Sequence, residues 1–263
     1  KTLETLELNT VCEEAGCPNI YECWGESTAT FMINGSRCTR ACGFCLVDTQ
    51  QPEPINAEEP HHVAQAVEQM GLSHVVITAV ARDDLDDGGA SGFVKTLRSI
   101  RKRVPEVSVE ILVPDFRGRV DALECVLAEQ PDVVNHNLET VARLQRAVRS
   151  NAGYARSLTL LARAKERGLI TKSGLMTGLG ETDDELISAL GDLACVGVDI
   201  VTIGQYLRPT TDHLPVQRWV NPETFQMLAE RARELGFRHV EAGPLTRSSH
   251  KAARGLRSFT TTA

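Results

Sequence analysis

The chain has 263 residues, of which 42% are hydrophobic and 24% charged, a composition typical of soluble globular proteins. Lysine and arginine are scattered and the net charge is −7, which argues against a nucleic-acid partner because such proteins normally present a basic face. In the sequence, apolar runs stay well short of the roughly 18 residues that a membrane span needs. We therefore expect a protein that binds neither nucleic acid nor membrane, in the cytoplasm, or in an organelle matrix or stroma if a transit peptide preceded Lys1.

Cysteines are concentrated in the N-terminal part of the chain. Six of the eight lie within the first 45 residues, in an extension at 1–29 that has no clear periodicity and in a second group at 38–45. A secreted disulfide scaffold would spread its cysteines through a short chain, so the clustering favours metal binding over disulfides. We interpret the remaining two, Cys125 and Cys195, as small apolar residues in the core.

From residue 30 onward, short β-branched runs alternate with amphipathic stretches. Strands are predicted near 31–34, 75–77, 107–113, 133–134, 174–176, 200–203 and 238–241. Helices are predicted near 62–70, 92–103, 119–129, 155–167, 183–196 and 222–235. Gly71, Gly168 and Gly236 follow three of these helices, as expected of residues that end a helix in the left-handed conformation.

Repeated strand–helix units of about 30 residues predict a parallel sheet with right-handed crossovers. This pattern favours an α/β fold, a partial or full (β/α) TIM-like barrel of about six to seven parallel strands, over an open three-layer sheet. We expect the barrel at residues 30–243, after the extension at 1–29 and before a C-terminal tail at 244–263. Active sites of such barrels form at the C-terminal ends of the strands, so polar segments that follow strands are candidate site residues.

Polar or glycine-rich segments follow several predicted strands, at 82–84, 135–139, 177–181 and 205–209. In the second of these, asparagines alternate with a glutamate at positions 135, 137 and 139, so an extended chain places all three side chains on one face. Helix capping, for example by Thr182, is the alternative interpretation, although a cap needs only one or two polar residues.

The second cysteine group has the spacing C-x3-C-x2-C, formed by Cys38, Cys42 and Cys45. Three thiolates on one loop can hold three corners of a [4Fe–4S] cluster and leave one iron with an open coordination position for a small molecule. Structural zinc is the alternative, but it commonly needs a second cysteine pair, and none follows. Phe44, just before the last cysteine, can pack under an adenine ring or belong to the core.

This loop, placed after a first strand and with an aromatic residue before its third cysteine, resembles that of the radical S-adenosylmethionine (SAM) superfamily. Residues 174–181 resemble the G-x-I-x-G-x-x-E strand of the same superfamily, with Met176 in the isoleucine position. A trio upstream, with the spacing C-x4-C-x5-C, and the sequence RSSH at 247–250 are similar to lipoyl synthases, whose tail reads RSSY. The resemblance extends from about residue 9 to residue 252.

The resemblance implies two [4Fe–4S] clusters and S-adenosyl-L-methionine as cofactors. The first cluster is expected on the C-x3-C-x2-C loop. The auxiliary cluster is expected on Cys12, Cys17, Cys23 and Ser249, with the C-terminal tail covering the barrel mouth. His250 stands where the family has tyrosine and is an alternative ligand. In the family's reaction a radical derived from SAM removes hydrogen from C6 and C8 of a protein-bound octanoyl-lysine, and the auxiliary cluster is consumed as the sulfur source.

The side chains expected to contact SAM are assigned by position, polarity and resemblance, and catalytic side chains beyond the cluster ligands are not expected. The SAM contacts are Phe44, Thr78, Asn135, Asn137, Glu139, Met176, Gly178, Leu207 and Arg208. The partners that the resemblance implies are an octanoylated lipoyl carrier domain or H protein, and an electron donor such as flavodoxin or ferredoxin. The alternatives are another sulfur-inserting radical SAM enzyme of the biotin-synthase type, which has no need of the upstream trio, and a non-catalytic, zinc-stabilised binding module.

Overall fold

The computed structural model describes Leu6, residues 8–11, Cys17 and residues 19–260. The chain divides into two compact units. The first unit contains Lys1–Arg40, Val47–Val133 and Lys251–Ala253, and the second contains Ala41–Leu46, Val134–His250 and Arg254–Ala263. The domain boundaries expected at residues 29 and 243 remain a prediction.

The first unit alternates strands and helices. Its strands are β1 (Asn9–Thr10), β2 (Thr28–Ile33), β3 (His74–Ala79) and β4 (Ser108–Leu112). Its helices are α1 (Ile20–Gly25), α2 (Glu59–Gln69), α3 (Ala90–Arg103) and α4 (Val120–Leu127), with a 3-10 turn at Phe116–Gly118. Strands β2, β3 and β4 run parallel in that order, and the short β1 pairs antiparallel with β2.

The core of the first unit lies on both faces of its parallel strands. Phe31 is paired in register with Ile77, and Ile77 with Ile111, and all three side chains are fully buried. All six residues of β2 are buried, as expected of a parallel strand covered on both sides. On α2, the buried Val63 and Val67 lie one helical turn apart and form the apolar face of that helix.

The second unit continues the same alternation. Its strands are β6 (Ile170–Thr177), β7 (Ile200–Gln205) and β8 (His239–Gly243), and β5 (Val133–Asn135) begins at the boundary residue. Its helices are α5 (Gln145–Val148), α6 (Tyr154–Glu166), α7 (Asp183–Cys195) and α8 (Pro222–Glu234), with a 3-10 turn at Ala142–Leu144. The C-terminal helix α9 (Ala252–Thr260) has its first two residues in the first unit and the others in the second. Strands β6, β7 and β8 are parallel.

Helix ends in the second unit follow the sequence signals closely. Thr182 caps α7 in a capping box: its side chain accepts from Glu185 N while the Glu185 carboxylate accepts from Thr182 N. Gly168 and Gly236 have φ values of 77° and 97°, which confirms the predicted left-handed ends after α6 and α8. In the part of the chain that the structure describes, no helix combines the length and the apolarity needed to span a bilayer.

Candidate active site

The cysteine loop begins in the first unit at Cys38. Two backbone N–H groups donate to the half-buried Cys38 Sγ, from Ala81 at 3.3 Å and from Arg40 at 3.4 Å. Thr39 N also donates to Ala81 O at 3.0 Å, so the start of the loop lies along the chain that leaves β3. N–H groups directed at a sulfur stabilise negative charge on it, which suits Cys38 to act as a thiolate ligand.

Arg40 joins this loop to two carboxylates. Its guanidinium forms a fork on Asp83, with Nε 2.7 Å from Oδ2 and Nη2 2.8 Å from Oδ1. Nη2 also lies 2.7 Å from Asp115 Oδ1, and the side chains of Arg40 and Asp115 are 6% and 0% exposed. Burial acts to lower the pKa of Arg40, but hydrogen bonding and attraction to both carboxylates raise it overall, so the guanidinium stays charged.

The rest of the cysteine loop, Ala41–Leu46, packs within the second unit. Gly43 N donates to Val148 O at 3.0 Å, and Leu214 N donates to Gly43 O at 2.9 Å. His213 Nε2 lies 3.0 Å from Cys45 O. Phe44 packs with the apolar cluster around Val148, so its ring has a packing role whether or not an adenine lies beside it.

A polar pair, the buried Asn137 and the half-buried Glu139, follows β5 in the second unit. Asn137 Nδ2 donates to Glu139 Oε1 at 3.0 Å, so two of the three alternating side chains are in contact, as the sequence predicted for this face. Glu139 adopts φ 67°, and its backbone bridges to β6 through Gly174 O and Met176 N. Burial raises the pKa of the Glu139 carboxyl, and attraction to Arg149 with the Asn137 hydrogen bond only partly opposes that shift.

Asn137 Oδ1 is a buried oxygen for which the described residues supply no hydrogen-bond donor. It faces Gly174: a Cβ added there would lie 2.8 Å from Asn137 Oδ1 and 2.9 Å from Thr202 Oγ1. Buried polar atoms are nearly always satisfied, so an unsatisfied carbonyl beside a glycine is suited to receive a donor from a bound molecule. The amino and ribose hydroxyl groups of SAM are donors of this kind.

Gly174→Ala is expected to raise the dissociation constant for SAM about tenfold, because the added methyl group displaces Asn137 Oδ1; overpacking of this kind costs about 1–3 kcal/mol. Equilibrium binding of SAM to the cluster-loaded protein measures the effect. The matched control is Gly191→Ala on α7. Among the described residues beyond its own helix, no atom lies within 4 Å of a Cβ added at Gly191. Wild-type affinity in Gly174→Ala would remove this glycine from the proposed SAM site.

The G-x-x-E segment after β6 forms a tight turn closed by its own glutamate. Glu181 accepts hydrogen bonds from Gly178 N at 2.6 Å and Leu179 N at 2.9 Å. Gly178 has φ +92°, and a Cβ there would lie 2.2 Å from Gln205 Nε2, so the position requires glycine. Gly178 and Glu181 therefore shape the turn. The geometry of the backbone explains why the G-x-x-E segment has glycine and glutamate at these two positions.

Glu181→Ala is expected to lower the free energy of unfolding by about 3 kcal/mol, because it leaves two buried N–H groups without their charged acceptor. Urea denaturation of the cluster-free protein, followed by circular dichroism, measures this loss. Asp184→Ala is the control, since Asp184 is an exposed carboxylate in the first turn of α7, where charge contributes at most about 1 kcal/mol. Equal losses in the two variants would contradict the role of Glu181 in the turn.

The other expected SAM contacts differ in burial and in hydrogen bonding. The Arg208 guanidinium is exposed and donates to the carbonyls of Thr211 and His213, the latter at 2.9 Å. Leu207 is also exposed. Thr78 Oγ1 donates to Leu112 O at 2.9 Å in the first unit, and Asn135 is fully buried at the end of β5. Their roles toward SAM stay predictions.

The residues expected at the auxiliary cluster are only partly described. Cys12 lies outside the described residues, Cys17 is half-buried, and Cys23 lies on α1. Within the first unit, Lys251 Nζ forms an ion pair with Glu22 Oε1 at 3.4 Å. Glu22 precedes Cys23, and Lys251 follows Ser249 by two positions along the chain.

Cys17, Cys38, Cys125 and Cys195 are free thiols. Within the described ranges, no three His, Cys, Asp or Glu side chains are gathered closely enough to hold a metal ion, so the assignment of the cysteine trios rests on spacing, ligand chemistry and relatives. Cys125 and Cys195 are exposed on α4 and α7, and the prediction that both belong to the core is wrong. Each lies on an apolar-rich helix but on its solvent side.

Comparison with known proteins assigns the chain to a class. The sequence profile described as the radical SAM superfamily matches residues 32–193, more than half of the chain, so the chain belongs to that superfamily. A lipoyl synthase from Rubrobacter xylanophilus is 55% identical over 254 residues, covering 96% of this chain and 79% of the relative. A second, from Symbiobacterium thermophilum, is 57% identical and covers 93% and 77%. Within the superfamily, the chain belongs to the lipoyl synthase family.

Solved structures share the fold at low sequence identity. Methylornithine synthase (PylB) matches with a TM-score of 0.61 at 16% identity, over 79% of this chain and 62% of that protein. Streptococcus suis SuiB matches with a TM-score of 0.64 at 13% identity, over 81% of this chain and 48% of that protein. The chain thus spans less than two thirds of either solved protein. These matches, with the parallel strands of both units, confirm the predicted α/β fold of the TIM-like barrel class.

Proposed function

We propose that the chain inserts two sulfur atoms at C6 and C8 of a protein-bound octanoyl-lysine, using SAM and two [4Fe–4S] clusters. The observation that carries the proposal is the pair of cysteine spacings, C-x4-C-x5-C followed by C-x3-C-x2-C, in a chain more than half identical to proteins named lipoyl synthase. A biotin-synthase-type enzyme would account for the second spacing alone.

Cys38, Cys42 and Cys45 would hold the cluster that binds SAM. The donor set fits, because three soft thiols on one loop suit iron–sulfur chemistry and leave one iron free for a chelating ligand. When bound there, the cluster and SAM supply an adenosyl radical strong enough to take hydrogen from an unactivated carbon, which no side-chain base can deprotonate at neutral pH. The chain's own task is to hold the cluster and the SAM molecule and to keep water and oxygen from the radical.

The second unit offers the groups that would position SAM. Asn137 Oδ1 is an unsatisfied buried acceptor, and the half-buried Glu139 side chain accepts a hydrogen bond from Asn137 Nδ2. The glycine at 174 leaves open the space beside them. Phe44 and Met176, both partly buried on the edge of one apolar cluster, would contact the adenine, and a donor on SAM would complete the hydrogen bonding of Asn137.

Cys12, Cys17, Cys23 and Ser249 would hold the auxiliary cluster that is consumed as sulfur donor. The spacing of the upstream trio and the sequence RSSH at 247–250, similar to the RSSY of the family, support this set. An alkoxide is a harder and weaker ligand to iron than a thiolate, so a serine ligand would detach readily as the cluster is dismantled.

The substrate partner proposed is an octanoylated lipoyl carrier domain or H protein, and the electron donor a flavodoxin or ferredoxin. The named relatives are bacterial, which supports the cytoplasm as the place of action. A compartment that keeps thiols reduced is also what exposed cysteines and oxygen-sensitive clusters need.

The deciding experiment is anaerobic incubation of the cluster-loaded protein with an octanoyl-lysine peptide, SAM and a strong reductant, followed by mass spectrometry. A product that has gained two sulfur atoms in place of two hydrogens supports the proposal. SAM cleavage with an unchanged peptide would contradict the lipoyl synthase activity while leaving the radical SAM class intact. Metal analysis distinguishes the zinc-module alternative, since that protein would contain zinc and no iron.

A further inference from the structure

Cys38 differs from an ordinary loop cysteine in the two N–H donors directed at its sulfur. Arg40 N and Ala81 N lie 3.4 Å and 3.3 Å from Sγ. Hydrogen bonds to cluster sulfurs favour the reduced, more negative state of an iron–sulfur cluster and so raise its reduction potential. The position of these two donors therefore bears on how easily an electron enters a cluster ligated by Cys38.

Both donors are held by the same set of contacts. Arg40 carries one donor on its own backbone, and its side chain is fixed by the fork on Asp83 and by the contact with Asp115. Thr39 ties the loop to the segment with the other donor: Thr39 Oγ1 donates to Ala81 O at 2.9 Å and accepts from Asp83 N at 3.0 Å. The loop and the chain after β3 thus form one hydrogen-bonded body.

Stability alone is a poor explanation for these ion pairs. The Arg40 side chain is 6% exposed and that of Asp115 is fully buried. For a buried ion pair, the free energy lost by removing both charges from water is about as large as the free energy gained by their attraction. Proteins in which such a pair is replaced by apolar residues are often equally stable. A planar guanidinium held by two carboxylates does, however, have a strongly fixed orientation, because each of its N–H groups points in a set direction.

We propose that Arg40 is a positioning residue for electron entry: its contacts with Asp83 and Asp115 hold the N–H groups of Arg40 and Ala81 on Cys38 Sγ and thereby raise the reduction potential of the cluster on the cysteine loop. This inference rests on the proposed function, which places a cluster on that loop. It concerns the potential of that cluster and is independent of the identity of the octanoyl substrate.

The test is a redox titration, followed by electron paramagnetic resonance, in a background with Cys17→Ala and Cys23→Ala so that the auxiliary cluster does not contribute. Arg40→Lys keeps the charge but loses the fork. At a fixed ambient potential it is expected to lower the ratio of reduced to oxidised cluster about tenfold, which is about 59 mV for one electron. Thr39→Val, uncharged and of equal size, is expected to lower the ratio in the same direction by a smaller factor.

Arg98→Lys is the control, since Arg98 donates from Nε and Nη2 to Glu129 Oε1 elsewhere in the first unit and so also loses a guanidinium–carboxylate contact. It should leave the potential unchanged. A wild-type potential in Arg40→Lys or, if that variant does not fold, in Thr39→Val, at full iron content, would overturn the inference. Two other results would overturn the proposed function together with this inference. The first is a background protein that forms no SAM-responsive cluster, and the second is a background protein that keeps its signal when Cys42 is replaced.

Discussion

Cys42→Ala is expected to abolish reductive cleavage of SAM, with the rate of 5′-deoxyadenosine formation falling by more than about 100-fold, since even outer-shell partners of a metal site are worth about 10–100-fold. The physical reason is that a three-thiolate cluster loses a third of its protein ligands. Chromatography of the products after anaerobic incubation with dithionite measures the rate. Iron content of the same samples shows whether the cluster is lost or merely inactive.

Cys195→Ala is the appropriate control for that variant. Cys195 is an exposed free thiol at the end of α7, and its replacement is expected to leave the rate of SAM cleavage unchanged. Cleavage at the wild-type rate in Cys42→Ala would mean that the C-x3-C-x2-C loop does not carry the cluster. That result would also remove the basis for the role given to Arg40.

Cys17→Ala is expected to leave SAM cleavage near the wild-type rate and to reduce sulfur insertion to background. The two functions separate because the upstream trio and the cysteine loop are proposed to hold different clusters. Mass spectrometry of the octanoyl peptide and chromatographic detection of 5′-deoxyadenosine, from the same reaction, give both quantities. The extent of uncoupling is therefore measured within one sample.

Cys125→Ala is the control for sulfur insertion, since Cys125 is an exposed thiol on α4. It is expected to form product at the wild-type rate. Sulfur-containing product from Cys17→Ala would contradict the assignment of the auxiliary cluster as sulfur donor. Loss of SAM cleavage in Cys17→Ala would instead indicate that the trio is needed for the structure of the whole protein.

Most of the regular structure could be predicted from the sequence. The helices expected at 183–196 and 222–235 are found at Asp183–Cys195 and Pro222–Glu234, because their apolar spacing and their capping residues agree. The short elements β1, α1 and α5 and the C-terminal helix α9 were missed. A strand of two residues and helices of four and six residues carry too little periodicity to be recognised, and α9 lies in the C-terminal tail, where the sequence predicted only a cluster ligand.

The candidate site was predictable only in part. Asn137 and Glu139 were found by their alternation, but Arg149, which donates from Nη1 to Asn137 O at 2.9 Å, gave no signal because it follows a helix of only four residues and belongs to no periodic pattern. His213, in contact with Cys45 O, was also missed, although it follows the segment 205–209 that was recognised as polar. The exposed thiols of Cys125 and Cys195 show that an apolar neighbourhood in sequence does not define a buried face.

What the sequence determined by itself is the chemistry of the ligands and the alternation of strands and helices. Both are local: cysteine spacing sets which thiols share a loop, and hydrophobic period sets the element type. What the tertiary structure decided is which groups meet across long stretches of chain. Arg40 reaches Asp83 over 43 residues, and Asn137 Oδ1 is left unsatisfied beside Gly174. Such contacts depend on the packing of separate strands, which no local pattern encodes.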